Sequence, residues 1–241
     1  MQQHLSNLAL FLAELRSSLR FLLISLISLT AVLFFLSTGL ITIVQEHLHE
    51  KIYFFSVAGP FLAHVKAAFF GAVYVLMPLF IHVLWKALGK PFAVTGQKLF
   101  WLTAATCLLF YSGTLFCYFV TLPYGISFLL SFQSENLRPL ISIDSFVNFI
   151  SIFILAFGLI FELPVFMIFS VQTKALSCHF YEKNRRFAIL AIAILAAVLT
   201  PTPDVVNMAF MGLPLYLLYE SGILVIRLLR LDKADTTVKI Q

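Results

Sequence analysis

Ala156, Phe157, Gly158, Leu159, Ile160, Phe161, Glu162, Leu163, Pro164, Val165 and Phe166 form the centre of an apolar run from Phe146 to Val171, and this stretch decides the fold. The run exceeds the roughly 20 apolar residues that carry a helix across the hydrocarbon core of a bilayer. A carboxylate at the centre of such a helix costs roughly 2.5 to 3.5 kcal/mol on insertion scales, so it persists only where it is paired, protonated, wetted or used. Glu162 is therefore either the structural partner of a neighbouring helix or a functional group. Pro164 removes a backbone donor, and its ring crowds the carbonyl four residues back, which predicts a kink near Ile160.

The rest of the chain repeats the pattern. Of 241 residues, 61% are hydrophobic and 11% charged, with 27 Phe, far from the makeup of a soluble domain. Further apolar runs cover Phe21 to Val44, Ala67 to Trp85 and Leu99 to Leu130. Two shorter ones follow, Phe187 to Leu199 and Val205 to Ile226, the second interrupted by Gly212 and Pro214. The expected fold is all-α: a polytopic membrane protein of six transmembrane helices, the last two short and the fourth kinked. Residues 1–230 are read as one six-helix domain and residues 231–241 as a short disordered tail. Pro123 ends or tilts the regular part of the long third span.

Charge orients the bundle. Of 16 Lys and Arg, 13 fall in the N-terminal segment, the second and fourth loops and the C-terminal tail, while Lys51, Lys66 and Arg138 alone occupy the alternate loops. The positive-inside rule then places both termini in the cytoplasm, in a cell (inner) membrane, and makes the basic balance a matter of topology rather than of nucleic-acid binding. Glu14 and Arg16 in an amphipathic opening segment, with no small-residue cleavage site, speak against a cleaved signal peptide. Cys107, Cys117 and Cys178 are read as packing residues, since two lie in one span and the third in a reducing compartment.

Catalytic vocabulary is sparse. His47, Leu48, His49 and Glu50 lack the spacing of a zinc-hydrolase helix. Ser112 before Gly113 lacks the geometry of a nucleophile elbow and a histidine base. Phosphate-cradling glycine loops are absent. An enzyme is not expected, nor a cofactor or a metal, and energy would come from the membrane gradient or a partner.

Several local patterns converge. In chain order they are Phe11, Leu12, Ala13, Glu14, Leu15, Arg16 and Leu19; Gly59, Pro60, Phe61 and Lys66; Leu109, Phe110, Tyr111, Ser112 and Gly113 with Phe116, Tyr118, Phe119 and Pro123; Phe157, Gly158, Phe161, Glu162, Leu163, Pro164 and Val165; and Leu199, Thr200, Pro201, Thr202, Pro203 and Asp204 with Leu213, Pro214, Tyr219 and Glu220. Together they resemble the TatC family, the polytopic core of the twin-arginine protein translocase, over nearly the whole chain. It implies a receptor that binds the paired arginines of signal peptides on folded cargo and recruits single-span TatA/TatB-like subunits within the lipid bilayer, as a homo-oligomer using the proton-motive force.

Carried onto this chain, the resemblance implies signal-peptide contacts at Glu14, Arg16, Gln97 and Lys98, because guanidinium groups are best held by carboxylates. An ordinary pairing of Glu14 with a basic neighbour is the alternative. One departure stands out: where the family carries an acid before a base, this chain reads Thr95, Gly96, Gln97, Lys98. Either recognition then leans on Glu14 and on Glu182, or this chain binds its signals weakly. Glu162, with Phe161 and Pro164, matches the intramembrane contact for a partner helix or signal. Pro60, Phe61 and Asp204 are expected in a periplasmic cap, though Asp204 equally suits the cap of the helix starting at Val205. Glu220 is expected at the bundle or the interface, with pairing to a basic neighbour as its plain alternative. A proton-coupled carrier of a small solute is the rival function, since such carriers also use a kinked helix with a buried carboxylate.

Overall fold

Lipid offers the backbone no hydrogen bonds, so a chain this apolar has to satisfy its N–H and C=O groups within helices. A computed structural model describes residues 2–48, 52–53, 56–89, 96–130, 141–199 and 205–229, though not every side chain within them. The order is α1 (Gln2–Leu48), β1 (Ile52–Tyr53), α2 (Gly59–Gly89), α3 (Gln97–Phe116), a π-helical turn (Cys117–Thr121), α4 (Leu122–Leu130), β2 (Ile141–Ser142), α5 (Ile143–Phe161), α6 (Leu163–Gln172), α7 (Cys178–Lys183), α8 (Arg185–Leu199) and α9 (Val205–Leu228). The expected tail, 231–241, and Asp204 lie outside the described residues.

Among the described residues, five stretches are long and apolar enough to cross a membrane: Ser18–Glu46, Gly59–Gly89, Gln97–Ser127, Ile143–Gln172 and Met211–Leu228. The run from Phe187 forms the short helix α8. Its 15 residues reach about 22 Å at 1.5 Å per residue, less than the ≈ 30 Å hydrocarbon core. The last helix, with 24 residues, reaches about 36 Å and keeps Pro214 inside it.

Both prolines of the long central spans leave their mark. The third span stays helical up to and beyond Pro123, but the turn before it widens, and the Leu122 N–H donates to the Cys117 carbonyl five residues back. The fourth span breaks at Glu162, a turn residue between α5 and α6. Pro164 sits in the first turn of α6, where its missing N–H costs no helical bond. The break falls two residues beyond the expected Ile160.

The chain divides into two compact units. The first contains residues 1–108 and 133–155, with α1 packed along α2. Three of its polar contacts cross between helices: Ser37 Oγ lies 2.9 Å from His64 Nδ1, Trp85 Nε1 donates to Thr106 Oγ1 at 2.8 Å, and Tyr74 donates to the Ser151 carbonyl. At one end, Lys66 Nζ donates to Asp144 Oδ1 at 2.7 Å. Beside it in sequence, the two short strands pair in parallel, Ile52 with Ile141 and Tyr53 with Ser142. Two expected outer loops are thereby joined.

The second unit contains residues 109–132 and 156–241. Its tightest contact is reciprocal. A Cβ on Gly113 would sit 2.6 Å from the Phe161 ring, and one on Gly158 would sit 2.6 Å from the Phe110 ring. Each helix thus lends a glycine to the other's aromatic ring, and Phe116 closes the cluster 5.6 Å from Phe161. Real Cβ atoms do not approach so closely, so only glycine fits at either position. A second core gathers Met167, Val171, Cys178, Ile192, Leu215, Tyr219, Ile223 and Ile226 from α6 to α9. Cys117 and Cys178 are buried and no cysteine is in a disulfide.

Candidate functional site

Glu162 is 3% exposed. Its backbone is satisfied: the N–H donates to Leu159, and the carbonyl accepts from Val165 and Phe166 at 3.0 and 3.1 Å. Neither carboxylate oxygen has a hydrogen-bond partner among the described residues. An acceptor desolvated in this way normally costs about 1 to 3 kcal/mol. The surrounding order explains how it is held. Phe161, immediately before it, is fixed by Gly113 and Phe116, while Pro164, two residues after it, lies against Gly222 of α9, whose added Cβ would fall 3.3 Å from Pro164 Cα. The helix break is clamped from both sides while the Glu162 side chain has no partner among the described residues. Phe161 and Pro164 are themselves buried, as packing groups.

A second set of charges gathers where α7, α8 and α9 meet. Arg185 at the start of α8 pairs with Glu220 Oε2 at 3.0 Å, and the Tyr216 hydroxyl donates to Glu220 Oε1 at 3.0 Å. Arg227 at the end of α9 donates from Nε to Glu182 Oε1 at 2.7 Å, and its Nη2 approaches the same oxygen at 2.5 Å. The Arg227 guanidinium, through that hydrogen bond, holds the Glu182 carboxyl below its ordinary range. Tyr219 donates to the Tyr181 carbonyl at 2.7 Å, and the Tyr181 and Ser170 hydroxyls lie 2.7 Å apart. These bonds tie the short helix α7 to α6 and α9.

The remaining expected residues are dispersed. Glu14 and Arg16 belong to α1, in the part whose side chains are outside the described set. Gln97 and Lys98 open α3 and are exposed, following Gly96, whose φ of +63° is a left-handed conformation that favours glycine. Pro60 and Phe61 lie in the first turn of α2, with the Phe61 ring edge-on to Phe34 at 6.0 Å. Glu220 does pair with a basic residue, but with Arg185 rather than with Arg227 on its own helix. The Lys66–Asp144 pair was not foreseen. Its signal was Lys66 as one of only three basic residues in the alternate loops. Among the described residues no three His, Cys, Asp or Glu side chains gather to hold a metal ion.

Five long apolar helices, a proline-broken span and an acid buried at the break define a polytopic α-helical membrane protein. The Sec-independent protein translocase protein (TatC) family matches residues 10–214. Sec-independent protein translocase proteins TatC from Carboxydothermus hydrogenoformans and Akkermansia muciniphila are 30% and 37% identical to the chain, over 76% and 66% of it and 76% and 47% of their own lengths. A solved structure described as the twin-arginine translocase receptor TatC superimposes with a TM-score of 0.76 over 89% of this chain and 98% of that one, at 24% identity, and so shares the fold. The chain belongs to the TatC family and is a multi-pass membrane component of the Sec-independent protein translocase. That membership does not favour the small-solute carrier.

Proposed function

We propose that this chain is the receptor core of the translocase, binding twin-arginine signal peptides of folded cargo and recruiting single-span TatA/TatB-like subunits, with transport driven by the proton-motive force. The observation that carries the reading is Glu162, 3% exposed and without a hydrogen-bond partner in the described chain, at a break whose flanks are clamped. A buried acceptor left open at a clamped helix break suits a donor supplied by another helix. Glu162, with Phe161 and Pro164, is assigned that contact.

Signal recognition is assigned to Glu14, with Arg16, Gln97 and Lys98 around it. The exposure of Gln97 and Lys98 at the start of α3 supports the assignment. Pro60, Phe61 and Asp204 are assigned to a periplasmic cap, with both termini in the cytoplasm and the chain in the cell inner membrane as a homo-oligomer. The distribution of 13 basic residues against 3 supports that orientation.

Photo-crosslinking from position 97 to a twin-arginine peptide, beside co-purification of single-span subunits with Glu162 and Glu162→Leu proteins, tests both assignments. Crosslinks that persist when the peptide's arginines become alanine, or subunits that stay bound to the Leu variant, would sink them. Orientation is read separately. A cysteine at Val57, which is exposed at the head of α2, should label with an impermeant reagent in intact cells, and one at Lys183 should not.

A further inference from the structure

The two carboxylates at the junction of α7, α8 and α9 are engaged differently. Glu220 is closed: Arg185 takes Oε2 and the Tyr216 hydroxyl takes Oε1. Glu182 is half open. Arg227 Nε and Nη2 converge on Oε1, at 2.7 and 2.5 Å, the Cys178 thiol donates to the same oxygen at 3.6 Å, and no hydrogen bond or ion pair among the described residues engages Oε2. A guanidinium and a carboxylate pair most strongly as two parallel forks, each nitrogen on its own oxygen. Arg227 does not reach that arrangement, and its side chain is 56% exposed. It lies in the last turn of α9, where the helix C-terminus favours a cation, so release from Glu182 would not strand its charge.

We propose that Glu182 is a second guanidinium site for the signal peptide, occupied in the resting protein by Arg227 as an internal stand-in that an incoming arginine displaces by taking both carboxylate oxygens. The proposal rests on the receptor reading above and adds to it an acid that compensates for Gln97. It also makes resting occupancy a threshold: a peptide must outcompete a tethered arginine, while a lysine, lacking the fork, gains little from this carboxylate whether Arg227 is present or not.

The test measures binding of a fluorescent twin-arginine peptide and its twin-lysine counterpart to the full-length chain in detergent. Arg227→Gln should tighten the arginine peptide about fivefold, the size of a partly exposed ion pair no longer given up on binding. The lysine peptide should change by less than about twofold. Lys183→Gln removes the same charge from α7 and should have little effect on either. Glu182→Gln added to Arg227→Gln should abolish the gain. Arg227→Lys, which keeps the charge but not the fork, should give a smaller gain and serves if the Gln variant unfolds. Equal responses to Arg227→Gln and Lys183→Gln, or an unchanged or weaker arginine peptide, would overturn the displacement. If wild type binds the arginine peptide selectively while Arg227→Gln is unchanged, the receptor reading stands and this inference alone fails. If neither protein discriminates the two peptides, both fail.

Discussion

Replacing Glu162 separates the two roles a buried carboxylate can have. With both oxygens unpartnered, the side chain contributes a desolvation cost and no compensating bond within the described fold. Glu162→Leu is close to volume-conserving and removes that cost, so the isolated protein should gain about 2 kcal/mol, from the 1 to 3 kcal/mol of an unsatisfied buried polar group. In a chain of this size that is a rise of roughly 4 to 8 °C in Tm. Transport should be lost all the same if Glu162 accepts from a partner helix as proposed, because that donor no longer finds its acceptor. Glu162→Gln should keep part of the assembly, as an amide still accepts and donates. Thermal unfolding in detergent, run beside a transport assay, reads both effects. A Leu variant that unfolds early, by an order of 3 to 5 kcal/mol, and transports in proportion to its folded fraction would show that Glu162 serves a charged structural partner and would refute the reasoning.

Gly113→Ala and Gly158→Ala should each lower stability by about 1 to 3 kcal/mol through overpacking against Phe161 and Phe110, while Gly39→Ala, with nothing within 4 Å of its added Cβ, should be neutral or stabilising in the same melts. Gln97→Glu should strengthen twin-arginine peptide binding, since it restores an acid at an exposed position in the first turn of α3. Gly96→Glu should do so less well and melt earlier, because Gly96 holds a φ of +63°; no gain from Gln97→Glu would mean that the loop takes no part in recognition. The Glu182 carboxyl lies below its ordinary value of 4.5, so its pairing stabilises the α7–α9 junction fully above that value and is lost as pH falls through the lowered one. Hydrogen exchange of α7 should rise by only a few-fold over that acid window, as suits a solvent-screened pair, and the step should be absent in Arg227→Gln.

Five of the six expected spans, and a break close to Pro164, were legible because they depend on local composition and on one proline, which act within a few residues of where they stand. The Phe110, Gly113 and Phe157, Gly158 patterns were visible as motifs, but their meaning was not. That each glycine receives the other helix's ring emerges only when residues 48 positions apart, Gly113 with Phe161 and Phe110 with Gly158, are brought together. The ion pairs show the same limit. Glu220 had a basic residue two turns away on its own helix, yet it pairs with Arg185, and Arg227 pairs with Glu182, because partner choice follows the meeting of α7, α8 and α9 rather than spacing along one of them. That Glu162 lacks a partner among the described residues was also beyond the sequence, which shows only that it needs one.

The wide turn before Pro123 has a consequence for the phase of its helix. Phe110, Gly113 and Cys117 are buried at intervals of three and four, after which the next buried positions are Leu122 and Ile126, so one interval of five interrupts the series at the π turn. A regular helix would carry the far half about 100° out of step with the near half at that point. The turn instead absorbs one surplus residue as a bulge, and both halves keep the same side inward. Any comparison of the third span by helical position therefore needs a one-residue offset between Cys117 and Leu122, without which inward residues on one side of the turn would be matched to outward ones on the other.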